Sequence, residues 1–241
     1  MRKYLTEFIG TFFLVLTIGC TVLGHAPLAP LAIGVVLAAM VFAGGHVSGA
    51  HYNPAVTVSV LVRGKMALAD VPGYLVAQVA GAVLAGFTAR QLVGGVPAQP
   101  FSVSGRVGVA LVAELAFTFA LAYVVLNVAT SSDHPNNSFY GLAIGFTVAA
   151  GAVAVGGVSG GVFNPAVGFG VATAGLVSWS SLWLYLVADL AAGALAAVAF
   201  RYLNPAEFAP QPAAERAGSV ADVPAPRTES DSRARAKAQA R

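Results

Sequence analysis

The sequence predicts an all-α membrane protein in which six transmembrane helices and two re-entrant half-helices form an inverted repeat. Three observations carry that reading. Of 241 residues, 57% are apolar and only 10% charged, whereas a soluble domain carries about 25% charged residues; the mean hydropathy is +0.77. Apolar segments of near-spanning length recur at 4–24, 28–45, 71–93, 107–130, 139–156 and 179–203, against the ~20 residues needed to cross the hydrocarbon layer. A ten-residue motif occurs twice, VSGAHYNPAV at 47–56 and VSGGVFNPAV at 158–167.

The first span follows Arg2 and Lys3 and carries Glu7. Glu7 interrupts the apolar run and no polar domain follows Gly19-Cys20, so we read an uncleaved helix rather than a lipoprotein leader. Cys20 is the sole cysteine, which excludes an intrachain disulfide and suggests an inert buried thiol. The second and fifth spans are short, and each runs into a glycine-rich stretch, HVSGAHY or GVSGGVF, read as irregular backbone. Such backbone is tolerated at membrane depth only where protein buries it or a wet cavity adjoins it. In the third and sixth spans, Gln78, Gly81, Gly86 and Gly193 read as close-packing positions without a transport role. A tail at 206–241, rich in Ala, Pro, Ser and mixed charge, is expected to be disordered and cytoplasmic. The channel domain is then 1–205, with repeats at about 1–100 and 105–205.

Each half opens with a helix bearing one glutamate, Glu7 or Glu114, followed by the repeated asparagine 46 or 50 residues later. Three spans per half is an odd number, so the second half must enter the membrane inverted. With both termini on the cytoplasmic side, that side holds Arg2, Lys3, Arg63, Lys65 and Arg201, and the other holds Arg90 and Arg106. This bias supports that orientation. The net charge of +3 forms no basic stripe, so nothing points to nucleic acid.

Asparagine is a favoured N-cap and proline is favoured in the first helical turn. Asn53-Pro54-Ala55 and Asn164-Pro165-Ala166 therefore start helices, and the apolar stretches after them are too short to span. Two inverted half-helices would meet N-terminus to N-terminus near the midplane, with their positive dipole ends together. Asn53 and Asn164 would present amide donors there. Carbonyls of Gly49, Ala50 and His51, and of Gly160, Gly161 and Val162, would supply acceptors along the path. Such a path suits small uncharged hydrogen-bonding solutes and repels cations at its centre.

These segments resemble the aquaporin, or major intrinsic protein, family: EFIGTFFLVLTIGC, GHVSGAHYNPAVTV, YLVAQVAGAVLAG, AELAFTF and VSGGVFNPAVGFG. The resemblance spans about residues 4–203. It implies an aquaporin-like fold, a passive channel for water or small neutral solutes, and a homotetramer with one pore per subunit in the inner or plasma membrane. It assigns Glu7, Glu114 and His46 to supporting the re-entrant loops, with His46 near the cytoplasmic half of the pore. It also places a selectivity filter on Ile33, Ala152, Gly161 and Val167. The family normally has arginine at the last of these, so this filter is small, apolar and uncharged. Asp189 departs too, because the family usually has proline there; a functional carboxylate and a neutral or water-bonded one at the subunit surface stay open.

Intramembrane charges cost roughly 2.5–3.5 kcal/mol each on insertion scales, so the glutamates need partners. His25, His46, His51 and His134 are scattered, so neither a metal nor a cofactor is expected. No nucleophile–base cluster suggests an enzyme. The apolar filter argues for solutes beyond water: glycerol-like polyols, ammonia, peroxide or undissociated metalloid acids. A structural member with a blocked pore is the other alternative, and both intact asparagines argue against it.

Overall fold

The computed structural model describes residues 1–95 and 99–209. Helices α1 (Arg2–Leu23), α2 (Ala29–Ser48), α4 (Val71–Val93), α5 (Val107–Thr130), α6 (Tyr140–Ser159) and α8 (Leu182–Leu203) are long and apolar enough to cross a membrane. Between them lie two nine-residue helices, α3 (Pro54–Val62) and α7 (Pro165–Thr173). Around the outside, side chains such as Leu5, Val76, Val153 and Val198 are more than half exposed, as expected where lipid rather than water is the neighbour.

The packing repeats between halves. Helix α1 packs on α2 and α4, and α5 packs on α6 and α8. Each half-helix crosses over: α3 lies against α8, and α7 lies against α4. The halves also meet along α2 and α6. Gly34 and Gly145 touch there, each nineteen residues before its asparagine. A Cβ on either would run into the other's carbonyl oxygen, so only glycine lets the two backbones approach this closely.

Two expectations change. The helices α2 and α6 do not stop at 45 and 156; they run on to Ser48 and Ser159. HVS and GVS are regular helix, and the irregular backbone begins at Gly49 and Gly160, which cap the helices in left-handed conformation at φ 83° and 97°. The apolar count ends earlier than the helix because His46 and the glycines dilute it, although the backbone hydrogen bonds continue. At the other end, order extends past 205. Pro205–Phe208 forms a 3₁₀ turn, and the helical unit runs through Glu207. The rest of the expected disordered tail, 210–241, lies outside the described residues.

Cys20 is half-buried rather than enclosed. Helices α1 and α4 are tied at their starts, where Asp70 accepts from the Tyr4 hydroxyl and pairs with Lys3 at 2.6 Å.

Candidate functional site

Asparagine side chains start both half-helices. Asn53 and Asn164 have extended backbones, and their Oδ1 atoms accept from the N–H of Ala55 at 2.8 Å and of Ala166 at 2.9 Å. This satisfies donors the helix itself leaves orphaned. Pro54 and Pro165 occupy the first helical positions, where no N–H is needed. The Nδ2 groups then reach across the molecule: Asn53 donates to the Phe163 carbonyl at 2.9 Å, and Asn164 donates to the Tyr52 carbonyl at 2.8 Å. Each half-helix start is thus fastened to the loop of the other half.

The carbonyls that receive these bonds belong to strained residues. Tyr52 and Phe163 both have φ of 50°, as does Ala50. A left-handed conformation costs a non-glycine residue roughly 1–2 kcal/mol. Tyr52 and Phe163 are held there from both sides, because their N–H groups donate to Glu7 Oε2 and Glu114 Oε2, at 2.6 and 2.7 Å.

The two glutamates are fully buried. Glu7 Oε1 accepts from the Ser48 hydroxyl and the His51 N–H, and Glu114 Oε1 accepts from the Ser159 hydroxyl and the Val162 N–H. Multiple donors of this kind are what make a buried carboxylate tolerable. Tyr74 and Tyr185 complete each cradle by donating to the carbonyls of Ser48 and Ser159.

Gln78 is a correction. It does not merely pack: fully buried, its Nε2 lies 2.8 Å from Glu7 Oε2 and 3.0 Å from Thr57 Oγ1 on α3. His46 is another. It sits exposed in the last turn of α2, while Ser48, Tyr74 and Gln78 brace the loop. His51 does belong to that brace, with Nδ1 3.1 Å from Thr57 Oγ1 and its ring beside Tyr74. Asp189 is not at the surface; it is fully buried, with Oδ1 accepting from Thr118 at 2.9 Å. The signal for these residues is in the sequence. YLVAQ at 74–78 and YLVAD at 185–189 place Gln78 and Asp189 twenty-five residues after their asparagines.

One cavity of about 300 Å³ runs past this junction. Both asparagines, Ile33, Ala152, Gly161 and Val167 line it, with Ala50, His51, Gly160 and Val162. Gly161 abuts Ala152: a Cβ built on it would lie 3.6 Å from the Ala152 Cα. Pro54, Ala55, Pro165 and Ala166 are buried behind the asparagines. Gly49 differs from expectation, because it caps α2 in an exposed position and the lining begins at Ala50. Most of the remaining wall is aliphatic, from residues such as Leu37, Val41, Leu121 and Val171. Glu7, Glu114 and Asp189 stand outside that lining. Among the described residues, no three His, Cys, Asp or Glu side chains converge as metal ligands would.

At the end of α3, Arg63 is buried against the Phe200 ring and pairs with Glu207, which also accepts from Ser131 and Ser132. Burial raises the Glu207 carboxyl, but the serine donors and Arg63 outweigh it and hold the pKa at about 2.

The sequence profile of the family described as "Major intrinsic protein" matches residues 1–200. Over 215 residues the chain is 37% identical to glycerol uptake facilitator protein-like 6 of Lactiplantibacillus plantarum, covering 85% of this chain and 99% of that protein. It is 35% identical to aquaporin NIP1-4 of Oryza sativa subsp. japonica, covering 85% of this chain and 77% of that one. The X-ray structure of the aquaglyceroporin from Plasmodium falciparum shares the fold, with a TM-score of 0.73 at 23% identity over 86% of this chain and 98% of that one. Two matched asparagine-capped half-helices beside one cavity, in a chain this similar to aquaporins and glycerol facilitators, have one reading: the chain belongs to the major intrinsic protein family and is a passive channel for water or small neutral solutes, not an enzyme.

Proposed function

We propose that the cavity past Asn53 and Asn164 conducts water together with neutral solutes up to the size of a small polyol. The observation that carries this reading is Val167. It lines the cavity with Ile33, Ala152 and Gly161, and these four make the outer selectivity filter. Arginine at this point would bring five donors, a permanent charge and a larger volume. Valine brings none of them, so a bulkier neutral solute meets less steric and electrostatic exclusion. The name of the bacterial relative, a glycerol uptake facilitator protein-like chain, agrees with such a substrate class. Ammonia, peroxide and undissociated metalloid acids belong to the same class.

Each asparagine amide has two N–H groups. One of each is engaged across the halves, and we assign the second to the passing solute. Carbonyls of Ala50, His51, Gly160 and Val162 are the acceptors on either side. The half-helix dipoles and the asparagines form the main cation barrier. Pro54, Ala55, Pro165 and Ala166 fix the helix starts, and Glu7 and Glu114 hold the loops.

The protein would sit in the inner or plasma membrane as a homotetramer, its exposed apolar belt meeting lipid and neighbouring copies. Both termini would be cytoplasmic, in line with the basic-residue bias. Arg63 and Ser131 both bond to Glu207, so those loops share one face. Stopped-flow light scattering of proteoliposomes with a panel of solutes tests the reading: water and glycerol should both cross faster than in protein-free vesicles, while ions should not.

A further inference from the structure

Val167 brings no charge to the cavity wall, yet a cation stands directly behind that wall. From the central junction α7 runs out to 174–178, and the segment before α5 joins it there. The Phe101 N–H donates to the Leu176 carbonyl, and the Ser178 N–H donates to the Phe101 carbonyl, both at 2.9 Å. A third bond runs from the Val103 N–H to Ser181 Oγ at 3.2 Å. Backbone fixed in this way puts Phe101 in the cavity lining, together with the apolar Val22, Pro30, Leu176 and Val177. The Phe101 ring also meets the second re-entrant loop: a Cβ built on Gly160 would lie 3.5 Å from it.

Arg106 ends this segment as the N-cap residue of α5, and it is exposed. Its guanidinium sits 5.9 Å from the centroid of the Phe101 ring, and its Nη1 donates to the Gly157 carbonyl at 3.2 Å. Both contacts adjoin the cavity, because Phe101 lines it and Gly157 follows Gly156, which lines it too. The cation is thus held on an aromatic face and on a carbonyl of the last turn of α6, two positions that favour positive charge. That charge is permanent. In sequence, the segments 24–28, 94–106 and 174–181 contain no Asp or Glu. Arg90, at the end of α7, adds a second cation and donates to the Thr173 carbonyl. Lys3 and Arg63, by contrast, pair with Asp70 and Glu207. A cleft with low-dielectric walls and one sign of charge focuses its potential on whatever enters.

We propose that Arg106, held on the Phe101 ring, is a specificity-determining residue whose charge turns small cations away at this mouth of the cavity while neutral solutes pass. The inference rests on the pore reading above and adds a first cation barrier ahead of the central one at the asparagines. Water or a polyol feels no net force from the guanidinium. A cation must shed water and approach a like charge in the same step.

The test separates the charge from a merely structural pin on the loop. Arg106→Cys is made in a Cys20→Ala background, so that the introduced thiol is the only one. The protein is treated in detergent with a trimethylammonium or a sulfonate methanethiosulfonate reagent and then reconstituted. Sodium leak is read beside water and glycerol permeability. The unmodified variant should leak sodium more than its Cys20→Ala parent, by on the order of tenfold. The trimethylammonium adduct should reverse most of that rise and the sulfonate adduct should add to it, with water and glycerol permeability little changed throughout. Equal leak from the two adducts, or no rise in the unmodified variant, would overturn the proposal while leaving the pore reading intact. A parent protein that passed neither water nor glycerol would overturn both.

Discussion

In the first half of the molecule, Glu7 gathers four donors: the Ser48 hydroxyl, the His51 and Tyr52 N–H groups, and the Gln78 amide. In the second half, Glu114 gathers Ser159, Val162 and Phe163, and Asp189 stands where Gln78 would be. Thr57 ties α3 to Gln78 and His51, while its counterpart on α7 is Gly168, which has no side chain to tie. The far ends of the half-helices differ similarly. Helix α3 ends in the Arg63–Glu207 pair, and α7 in the Arg90 guanidinium donating to the Thr173 carbonyl at 3.3 Å. What both halves share is what the central junction demands: a glutamate for the loop N–H groups, a serine beside it, a tyrosine on the serine carbonyl and an asparagine cap. What differs is the bracing behind it, which is richer in side chains in the first half.

The strongest way to break this comparison is to remove the glutamates one at a time. A buried donor left without its acceptor costs about 1–3 kcal/mol. Glu7→Leu strands four donors and Glu114→Leu strands three, while also relieving Asp189 of a charged neighbour. Thermal unfolding in detergent should therefore show the larger drop for Glu7→Leu; equal drops would mean that the bracing difference has no energetic weight.

Next in size is the central fastening. Asn53→Leu with Asn164→Leu removes both cross-half bonds and both caps, each cap contributing about 1 kcal/mol. The double variant should still insert, with weaker solute flux and a raised ion leak in proteoliposomes. Unchanged flux and leak would remove the asparagines from the solute path.

The Glu207 pair is a smaller and pH-dependent matter. Folding lowers the Glu207 pKa from 4.5 to about 2, so its stabilisation is complete above the unfolded value and disappears as pH falls through that window. Melting temperature in wild type should decline between those values, and Glu207→Gln should lack this component. An identical acid profile in the variant would show that the pair does not hold the end of α3.

The smallest expected effect comes from deleting residues 210–241, whose composition lacks the apolar content to pack. Water permeability per inserted subunit should be unchanged; a severalfold fall would assign that segment a part in conduction.

Spans, half-helices, asparagine caps and the glutamates' need for partners were legible because each follows from local rules, while the loops as those partners came from the family resemblance. Charge inside an apolar run must find partners, and Asn-Pro at a helix start has a single geometry. The bracing was harder to read, because it joins residues far apart in the chain. Gln78 looks like any small polar group in a span until its distance from Asn53 is set against that of Asp189 from Asn164. His46 was read as loop support because a glycine-rich stretch was taken as irregular, whereas the helix continues to Ser48 and leaves His46 exposed in its last turn. Arg63–Glu207 joins residues 144 apart and leaves no local pattern.

Val167 is where the pore reading is most exposed to test. The decisive quantity is the ratio of glycerol to water permeability in proteoliposomes of wild type and Val167→Arg at matched protein density. An arginine in the apolar filter should obstruct glycerol more than water, so the ratio should fall in the variant, together with any proton leak. A ratio that stays the same would mean that Val167 does not line the constriction through which solutes pass.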